Sequence, residues 1–337
     1  MNLLISGPPA SGKSRAALER FRSRAGSLLI VPTATMAEHI GHSLARSGFA
    51  VRPREICTLA KFIEQCSSDA AAPAPLLDLL LEQALQKLRP QRFSEVSGFP
   101  GFRRALAELF EQAPTATLPP DLAMLEEYVA KQLQARGLAL RYARLASAAE
   151  TIHNPAYALP ANIILDGFFT LSASETALVV ALGKRVDVTV TLPDWPGSQV
   201  LRHRLLSSGF EEHRFSSVLR SASRVGFSAA TMEREVEEIA RRILKHAQQS
   251  RAFREMAIVL RAREPYAGMV ETTLARFGIP ARFYFHQPLG GHPAAMFLTN
   301  VVRAMLAGWD HATLLSAVRM PASGLGATPM GDQLDFA

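Results

Sequence analysis

Short hydrophobic runs alternate with helical patterns at the start of the chain. Residues 2–6 (NLLIS) and 28–31 (LLIV), the second ended by a proline, are runs of the kind that form buried parallel strands. Residues 13–23 and 35–47 carry apolar side chains at helical spacing, between these runs and after them. The order strand, helix, strand, helix predicts the opening of a parallel α/β sheet.

The middle of the chain has a different pattern. The segment 61–154 is rich in Ala, Leu, Glu, Gln and Arg, poor in β-branched residues, and helically periodic at 76–88 and 122–134. Strand-like runs return at 162–165 (NIIL) and 186–192 (VDVTVTL). We therefore predict an all-helical insertion that interrupts a parallel sheet.

The segments on either side of this insertion, 1–60 and 155–222, are predicted to form one domain around a single sheet. A second α/β domain is predicted at 223–325, because strand-like runs again alternate with helical patterns there. Its predicted strands are residues 225–228, 256–260 and 282–285, and its predicted helices are residues 233–249, 266–277 and 294–306. The last residues, 326–337, have no periodicity and are predicted to be a frayed or truncated tail.

The composition is that of an ordinary globular protein. Of the 337 residues, 48% are hydrophobic and 20% are charged, which excludes a disordered or fibrous chain. No apolar stretch approaches the roughly 18 residues of a transmembrane helix, and the first residues lack the pattern of a signal peptide. Cys57 and Cys66 are too few for a disulfide framework or a four-cysteine metal site. We expect a cytoplasmic, soluble protein without a membrane partner.

The charge is unevenly distributed. The net charge is +7, with 8 Lys/Arg against 3 acidic groups in residues 1–60, and 13 against 10 in residues 223–337. A basic excess fits a polyanionic partner such as a nucleotide or a nucleic acid. It fits equally well a protein that is rich in arginine and has no such partner.

One motif carries recognisable chemistry. The residues Gly7-Pro8-Pro9-Ala10-Ser11-Gly12-Lys13-Ser14 satisfy G-x-x-x-x-G-K-[ST], after a predicted strand and at the start of a predicted helix. In such a loop, backbone N–H groups and the helix dipole face the phosphates of a nucleotide. Lys13 is expected to reach the β- and γ-phosphates and Ser14 to bind Mg²⁺, which predicts ATP and Mg²⁺ as cofactors. The alternative is a glycine-rich turn that binds no ligand.

A second ligand for Mg²⁺ is expected at the end of a neighbouring strand. The apolar run 163–165 ends in Asp166, the best candidate for this carboxylate, although Asp166-Gly167 is equally typical of a simple turn. ATPases that hydrolyse usually carry a glutamate after this aspartate to polarise water, and Gly167 stands there instead. Glu175 lies nearby, but with Ser172 it forms the pattern of a helix capping box.

Other candidate groups are less specific. His286 and His292 flank a Pro-Leu-Gly-Gly turn and are interpreted as loop residues. The basic residues of the predicted helix 233–249 are interpreted as a solvated face. Trp195 is a candidate for stacking on a base, and a buried anchor at a strand end is the alternative.

The order of these pieces resembles superfamily 1 helicases of the UvrD/RecB type. It resembles more closely the AddB/RexB type, the B subunits of the AddAB/RexAB helicase–nucleases, in which the helicase-like region is inactivated. The Gly7–Ser14 loop matches helicase motif I, and Ile164–Phe168 is similar to the degenerate motif II of the AddB/RexB type, where Asp-Gly-Phe replaces Asp-Glu. The segments that resemble motif Ia, motif Ib and the start of the second RecA-like domain are 29–33, 57–62, 234–240, 257–261 and 277–280.

The resemblance implies both a fold and a function. The fold would be two RecA-like (P-loop NTPase) parallel-sheet domains with the helical insertion in the first. The function would be that of an inactivated, DNA-binding part of an ATP-dependent helicase–nuclease of the AddB/RexB type in DNA double-strand-break repair and recombination, with little or no ATP hydrolysis. Its partners would be single-stranded or end DNA and the A subunit of the helicase–nuclease. DNA contacts are implied at Thr33, Thr58, Trp195 and Arg261.

The departures from the family pattern limit this expectation. The Gly-Asp-x-x-Gln-Ser element expected after residues 186–192, the Asn-Tyr-Arg-Ser segment with its arginine finger, and a D…(D/E)-x-K nuclease constellation are not found in the sequence. We therefore assign no catalytic residue and expect no DNA cleavage by this chain alone. An independent P-loop ATPase or kinase acting on a small substrate is the alternative, but the long helical insertion and the second α/β segment have no role in a small kinase.

Overall fold

A six-stranded parallel sheet organises the first part of the chain. The computed structural model describes residues 1–112, 118–216, 225–285 and 289–325. The chain divides into two compact units, Met1–Ala222 and Ser223–Ala337. The predicted tail at 326–337 and the predicted loop residue His286 lie outside the described residues.

The sheet belongs to the first unit, and all of its strands run in the same direction. The strands are β1 (Leu3–Gly7), β2 (Leu28–Val31), β3 (Ile56–Thr58), β4 (Asn162–Leu165), β5 (Asp187–Pro193) and β6 (Glu211–Arg214). Their order across the sheet is β3-β2-β4-β5-β1-β6. The prediction that the runs before and after the helical insertion share one sheet is therefore confirmed. The pattern missed β3, which has three residues, and β6, whose residues are polar.

Helices occupy much of the described chain in both units. They are α1 (Lys13–Ser23), α2 (Ala34–Arg46), α3 (Leu59–Cys66), α4 (Ala74–Leu88), α5 (Pro100–Glu111), α6 (Pro120–Gln134), α7 (Arg141–His153), α8 (Ala173–Gly183), α9 (Gln199–Ser207), α10 (Met232–Gln248), α11 (Tyr266–Arg276), α12 (Pro293–Leu306) and α13 (His311–Val318). Among the described residues, no helix is both long enough and apolar enough to cross a membrane.

Hydrophobic layers cover both faces of the sheet. Successive residues of a strand point to opposite faces, and accordingly Leu28 and Ile30 belong to one buried cluster while Leu29 and Val31 belong to another. The first cluster includes residues of α3, α7, α8 and α9, and the second includes residues of α1 and α2. Each fully buried Leu or Ile contributes about 1.5–3 kcal/mol, so these runs hold the sheet between its two helical layers.

The middle of the insertion between β3 and β4, from α4 to α6, has a core of its own, whereas α3 and α7 at its two ends pack on the sheet. Leu81 of α4, Phe110 of α5 and Leu125 of α6 are almost completely buried in one cluster, separate from the clusters on the sheet. The insertion is not entirely helical, because the two-residue strands Ala70–Ala71 and Leu138–Ala139 pair in parallel. Two residues on each strand are too short a hydrophobic pattern to be visible in the sequence.

The second unit has the predicted helices but not the predicted strands. Residues 225–228, 256–260 and 282–285 form no strand, and within the described part of this unit none of them pairs with another. Backbone N–H and C=O groups need a neighbouring strand to form a ladder, and a hydrophobic run does not supply one. Ile258 and Leu260 still pack against the unit's core, while Val259 between them is 90% exposed.

Candidate functional site

The candidate site lies at the edge of the sheet where the parallel strands end. β1 leads through residues 8–12 into α1, and β4 leads directly into Asp166. Parallel strands present their carboxyl ends at one edge of the sheet, which is the usual place for a ligand in an open α/β sheet. The sequence-predicted loop Gly7–Ser14 and Asp166 are therefore brought together, although 152 positions separate Ser14 from Asp166 along the chain.

The Gly7–Ser14 loop turns sharply before the helix starts. Gly12 has φ 95° and ψ 3°, in the left-handed region that favours glycine, and Ala10 has φ 58°. The helix α1 has no side-chain cap at its first residue and no acidic residue in its first turn. The first backbone N–H groups of a helix have no partner within the helix, so those of α1 remain donors for a ligand.

Asp166 is the buried acidic group of the site. It is 1% exposed, and its Oδ1 accepts hydrogen bonds from Thr191 Oγ1 at 2.6 Å and from Ser14 Oγ at 3.0 Å. Its Oδ2 is buried and has no hydrogen-bond partner among the described residues. Thr191 of β5 and Ser14 of α1 therefore hold Oδ1 of the carboxylate in place, and Oδ2 is available to a ligand.

Lys13 is held close to the loop. Its Nζ donates a hydrogen bond to the carbonyl oxygen of Pro8 at 2.9 Å, so the ammonium group folds back over the loop. Partial burial lowers the pKa of Lys13, and the nearby negative charge of Asp166 opposes part of this shift. An additional negative charge nearby, such as that of a phosphate, would stabilise the charged form of Lys13.

Phe215 contacts the loop and was not identified from the sequence. Its N–H donates to Ser6 O at 2.7 Å, which continues the course of β6 past its last strand residue. A Cβ atom added to Gly7 would lie 2.9 Å from the Phe215 carbonyl oxygen and 2.7 Å from Ser11 Oγ. Glycine is therefore required at position 7 because the chain after β6 passes close to it. The hydroxyl of Ser11 is buried and unpartnered within the described part of the chain.

Ion pairs fasten β6 beside the loop. Glu212 accepts hydrogen bonds from Arg202 Nε at 2.8 Å and from Ser6 Oγ at 2.5 Å, and Arg214 pairs with Asp194 at 2.5 Å. The hydrogen bond from Arg202, reinforced by Ser6, lowers the pKa of Glu212 to about 2, while burial acts in the opposite direction. These contacts anchor a polar edge strand that the hydrophobic pattern did not reveal.

A side chain at Gly167 would meet a strained backbone conformation and the end of the Met36 side chain. Its φ is +87°, and a Cβ atom there would lie 2.6 Å from Cε of Met36 and 2.9 Å from its sulfur. Its N–H donates to Thr191 Oγ1 at 3.3 Å, which connects the turn to the hydroxyl that holds Asp166. A glutamate at this position would carry the strain of the left-handed backbone and would have to displace the flexible end of Met36.

The remaining sequence-predicted residues lie in different places. Thr33 and Thr58 cap α2 and α3, accepting from Met36 N and Lys61 N at 3.2 Å, so both lie at the same edge of the sheet as the loop. Trp195 follows β5 and is 45% exposed rather than a buried anchor, with Nε1 3.5 Å from the carbonyl oxygen of Phe169. Arg261 is exposed and belongs to the second unit.

Two features define the class of protein to which the first unit is related. They are an all-parallel sheet between helical layers and a glycine-rich loop joining one of its strands to a helix. Together they are consistent with a RecA-like α/β domain. No family model matches the chain.

Similarity to known proteins points to the B subunits of helicase–nucleases. The ATP-dependent helicase/deoxyribonuclease B subunit of Moorella thermoacetica is 30% identical over 140 residues, which are 40% of this chain and 12% of that protein. The protein of the same name from Staphylococcus saprophyticus is 28% identical over 116 residues, 34% of this chain and 10% of that protein. The one from Geobacillus kaustophilus is 26% identical over 94 residues, 28% of this chain and 8% of that protein. These partial matches support a relation between this chain and the AddB family.

Proposed function

We propose that this chain is the helicase-like, DNA-binding part of an ATP-dependent helicase–nuclease of the AddB/RexB type in DNA double-strand-break repair and recombination. In this proposal it binds Mg-ATP at the Gly7–Ser14 loop with little or no hydrolysis, holds single-stranded or end DNA, and works with the A subunit of the helicase–nuclease. The similarity to three helicase/deoxyribonuclease B subunits supports the family part of the proposal. The surroundings of Asp166 support the nucleotide part.

The unpartnered oxygen of Asp166 is the observation that carries the nucleotide part. A buried polar atom without a partner costs free energy, and a cation at Oδ2 would remove that cost. Ser14 Oγ lies 3.0 Å from the other carboxylate oxygen, so a hydroxyl and a carboxylate are available together. Mg²⁺ prefers oxygen ligands of this kind, completed by water and substrate phosphates. The residues present therefore fit a bound Mg-nucleotide. The nucleotide would supply the γ-phosphoryl group, and Mg²⁺ would neutralise part of the charge of the phosphates.

The loop supplies the complementary positive groups. The uncapped N-terminus of α1 offers backbone donors and the positive end of the helix dipole. Lys13 donates to the Pro8 carbonyl, and in the bound state it would exchange this neutral acceptor for a phosphate oxygen. A charge-assisted hydrogen bond is stronger than a neutral one. Binding therefore needs only groups that the first unit already holds in place.

Hydrolysis needs more than these groups. A water-orienting side chain and a cation for the developing charge are required, and loss of an arginine finger alone costs on the order of 10³–10⁵ in rate. Gly167 has no side chain at the position of the water-orienting glutamate, and its left-handed backbone and the contact with Met36 oppose its replacement. We therefore expect this chain to bind the nucleotide with little or no hydrolysis.

A substitution of Lys13 tests the proposal. Binding of a fluorescent ATP analogue with Mg²⁺ is measured on the full chain and on Lys13→Ala, with Lys184→Ala as the matched control. Lys184 is an exposed residue just after α8, far along the chain from the loop. We expect Lys13→Ala to weaken binding at least about tenfold, equivalent to about 1.4 kcal/mol, and Lys184→Ala to bind as the unmodified chain does.

Phosphate release, measured with and without single-stranded DNA, completes the test. We expect a rate near background in both cases. Brisk hydrolysis stimulated by DNA would contradict the inactivated state, and brisk hydrolysis without DNA would favour an independent ATPase or kinase. Absence of any nucleotide binding would refute the nucleotide part of the proposal.

A further inference from the structure

A basic groove lies along one side of α10 in the second unit. It is an open depression of about 510 Å³, lined by Val225 and, on the helix, by Glu238, Arg241, Arg242, Lys245, His246 and Gln249. We call it the α10 groove. Its volume is within the range of about 300–1,000 Å³ that is typical of sites for small ligands. The helix residues follow one another at spacings of one or three, so they form a stripe on the surface of the helix.

The opposite side of α10 explains why this stripe faces outward. Val236 and Ala240 are completely buried, and Ile243 and Leu244 pack against the same cluster. The helix is thus fixed by its apolar face, and its polar face is held in a defined orientation. From residue 238 to residue 249 the stripe extends about 16 Å at 1.5 Å per residue, which is longer than the spacing between successive phosphates of a strand.

Acidic partners are concentrated in the first half of the helix. Glu237 pairs with Arg241 at 3.2 Å, and Glu238 pairs with Arg242 at 2.9 Å and with Arg241 at 3.8 Å. In the part of the chain that the structure describes, Lys245 forms no ion pair. Among the described residues, the positive charge of the groove is therefore paired with carboxylates at Arg241 and Arg242 and unpaired at Lys245.

Arg242 is held in place by a second contact. Its guanidinium carbon lies 4.2 Å from the centre of the Phe227 ring, while its Nε donates to Glu238. A guanidinium that is stacked on one face and hydrogen-bonded on one edge loses little further entropy when it binds an anion with its other N–H groups. The arrangement is therefore partly preorganised for a phosphate.

The helix dipole alone does not account for this arrangement. Cations in the last turn of a helix are stabilised by about 0.3–1 kcal/mol through the dipole, which explains why Lys245 and His246 are found there. The dipole explains neither the open depression beside the helix nor the stacked arginine one turn earlier. Both are compatible with a surface that receives a ligand.

We propose that the α10 groove binds phosphate groups of single-stranded nucleic acid. This inference rests on the proposed function only in that DNA is the ligand, because the groove belongs to the second unit and shares no residue with the Gly7–Ser14 loop. Contacts of this kind neutralise phosphates without reading the sequence. Lys245 supplies the charge that is unpaired within the described part of the chain, and the fixed guanidinium of Arg242 supplies directed hydrogen bonds.

A charge reversal in the groove tests the proposal on the full chain. Binding of a fluorescently labelled thirty-nucleotide oligo(dT) is measured by anisotropy at several salt concentrations for Lys245→Glu and for the matched control Arg303→Glu. Arg303 is an exposed residue of α12 in the same unit, so both variants reverse one positive charge. We expect Lys245→Glu to weaken binding about three- to tenfold at low salt and to lower the salt slope by about one. Arg303→Glu should have less than half this effect.

Additional variants keep the outcomes distinct. Lys245→Gln, which only removes the charge, should give an intermediate effect, and unchanged thermal unfolding would show that the variants are folded. Equal effects of Lys245→Glu and Arg303→Glu would overturn the groove while leaving DNA binding by the chain intact. Absence of any oligo(dT) binding by the unmodified chain would refute the DNA part of the proposed function and the groove with it. Binding of polyglutamate that depends on Lys245, with oligo(dT) binding indifferent to it, would replace nucleic acid by an acidic peptide.

Discussion

β4 and the segment 256–260 have similar sequences and different structures. Both are short hydrophobic runs, Asn-Ile-Ile-Leu in β4 and Met-Ala-Ile-Val-Leu in the other segment. In β4, Ile164 is completely buried, and the strand is hydrogen-bonded to β2 on one side and β5 on the other. In the other segment, Val259 is 90% exposed, and the described residues provide no pairing strand. A hydrophobic run therefore becomes a strand only where the fold supplies neighbours.

The cores of the two units differ in the same way. In the first unit the sheet is buried between two clusters, one of which alone includes residues of five strands and four helices. In the second unit the cluster around Val236, Val270 and Leu274 is built chiefly by α10 and α11, and several apolar residues of α12 are exposed. A side chain in the first unit has more close-packed neighbours, so its removal leaves a cavity that is harder to fill.

The largest effect is expected from truncating one core leucine in each unit. Leu29→Ala in β2 should destabilise the first unit by about 3–5 kcal/mol, and Leu274→Ala in α11 should destabilise the second by about 2 kcal/mol. The chain's two tryptophans, Trp195 and Trp309, lie one in each unit. Urea unfolding followed by fluorescence in a Trp309→Phe background therefore reports the first unit, and in a Trp195→Phe background the second.

Two results would break the comparison. Equal losses of unfolding free energy from Leu29→Ala and Leu274→Ala would show that the two cores are equally sensitive to truncation. A shift of the Trp195 transition by Leu274→Ala, as large as its shift of the Trp309 transition, would show that the two units unfold together.

The comparison also shows how far the sequence predicts the fold and the site. The mainly hydrophobic strands β1, β2, β4 and β5 and the Gly7–Ser14 loop could be predicted, because hydrophobic pattern and loop chemistry are local properties. Phe215 and Thr191 could not be identified, because both act through contacts between segments distant in sequence. The polar strand β6 was missed for a related reason, since it is held by pairing with β1 and by the Arg202–Glu212 ion pair.

A smaller effect is expected from adding a methyl group to one glycine in each unit. Gly167 and Gly278 have positive φ values of 87° and 67°, but a Cβ atom would meet Met36 at the first and nothing within 4 Å at the second. Gly278→Ala should cost about 1 kcal/mol from backbone strain, and Gly167→Ala about 2 kcal/mol because the end of the Met36 side chain must also move. The midpoints of urea unfolding measure both.

The double variant Gly167→Ala/Met36→Ala separates the two causes. Gly167→Ala should cost less in the Met36→Ala background than in the unmodified chain, because the steric overlap is removed. The cost that remains is the backbone strain. If Gly167→Ala were no more destabilising than Gly278→Ala, the contact with Met36 would add no cost to a side chain at this position. Backbone strain alone would then oppose a glutamate there.

The smallest effect, and the one with a pH signature, concerns Glu212. Its pKa is lowered to about 2 by the hydrogen bond from Arg202, against an ordinary value of 4.5. A carboxylate with a lowered pKa stabilises the folded state fully above its unfolded pKa, and this contribution is lost as the pH falls through the folded pKa. Glu212→Gln should therefore lower the stability of the first unit by about 1–2 kcal/mol at neutral pH. The difference from the unmodified chain should vanish as the pH falls from the ordinary to the lowered pKa.

In the second unit, the more exposed pair of Glu238 with Arg242 is the matched comparison. Glu238→Gln should have a smaller effect because solvent screens the pair. A Glu212→Gln deficit that stayed constant from neutral pH to the lowered pKa, followed through Trp195, would show that the ionised carboxylate is not what anchors β6 beside the loop.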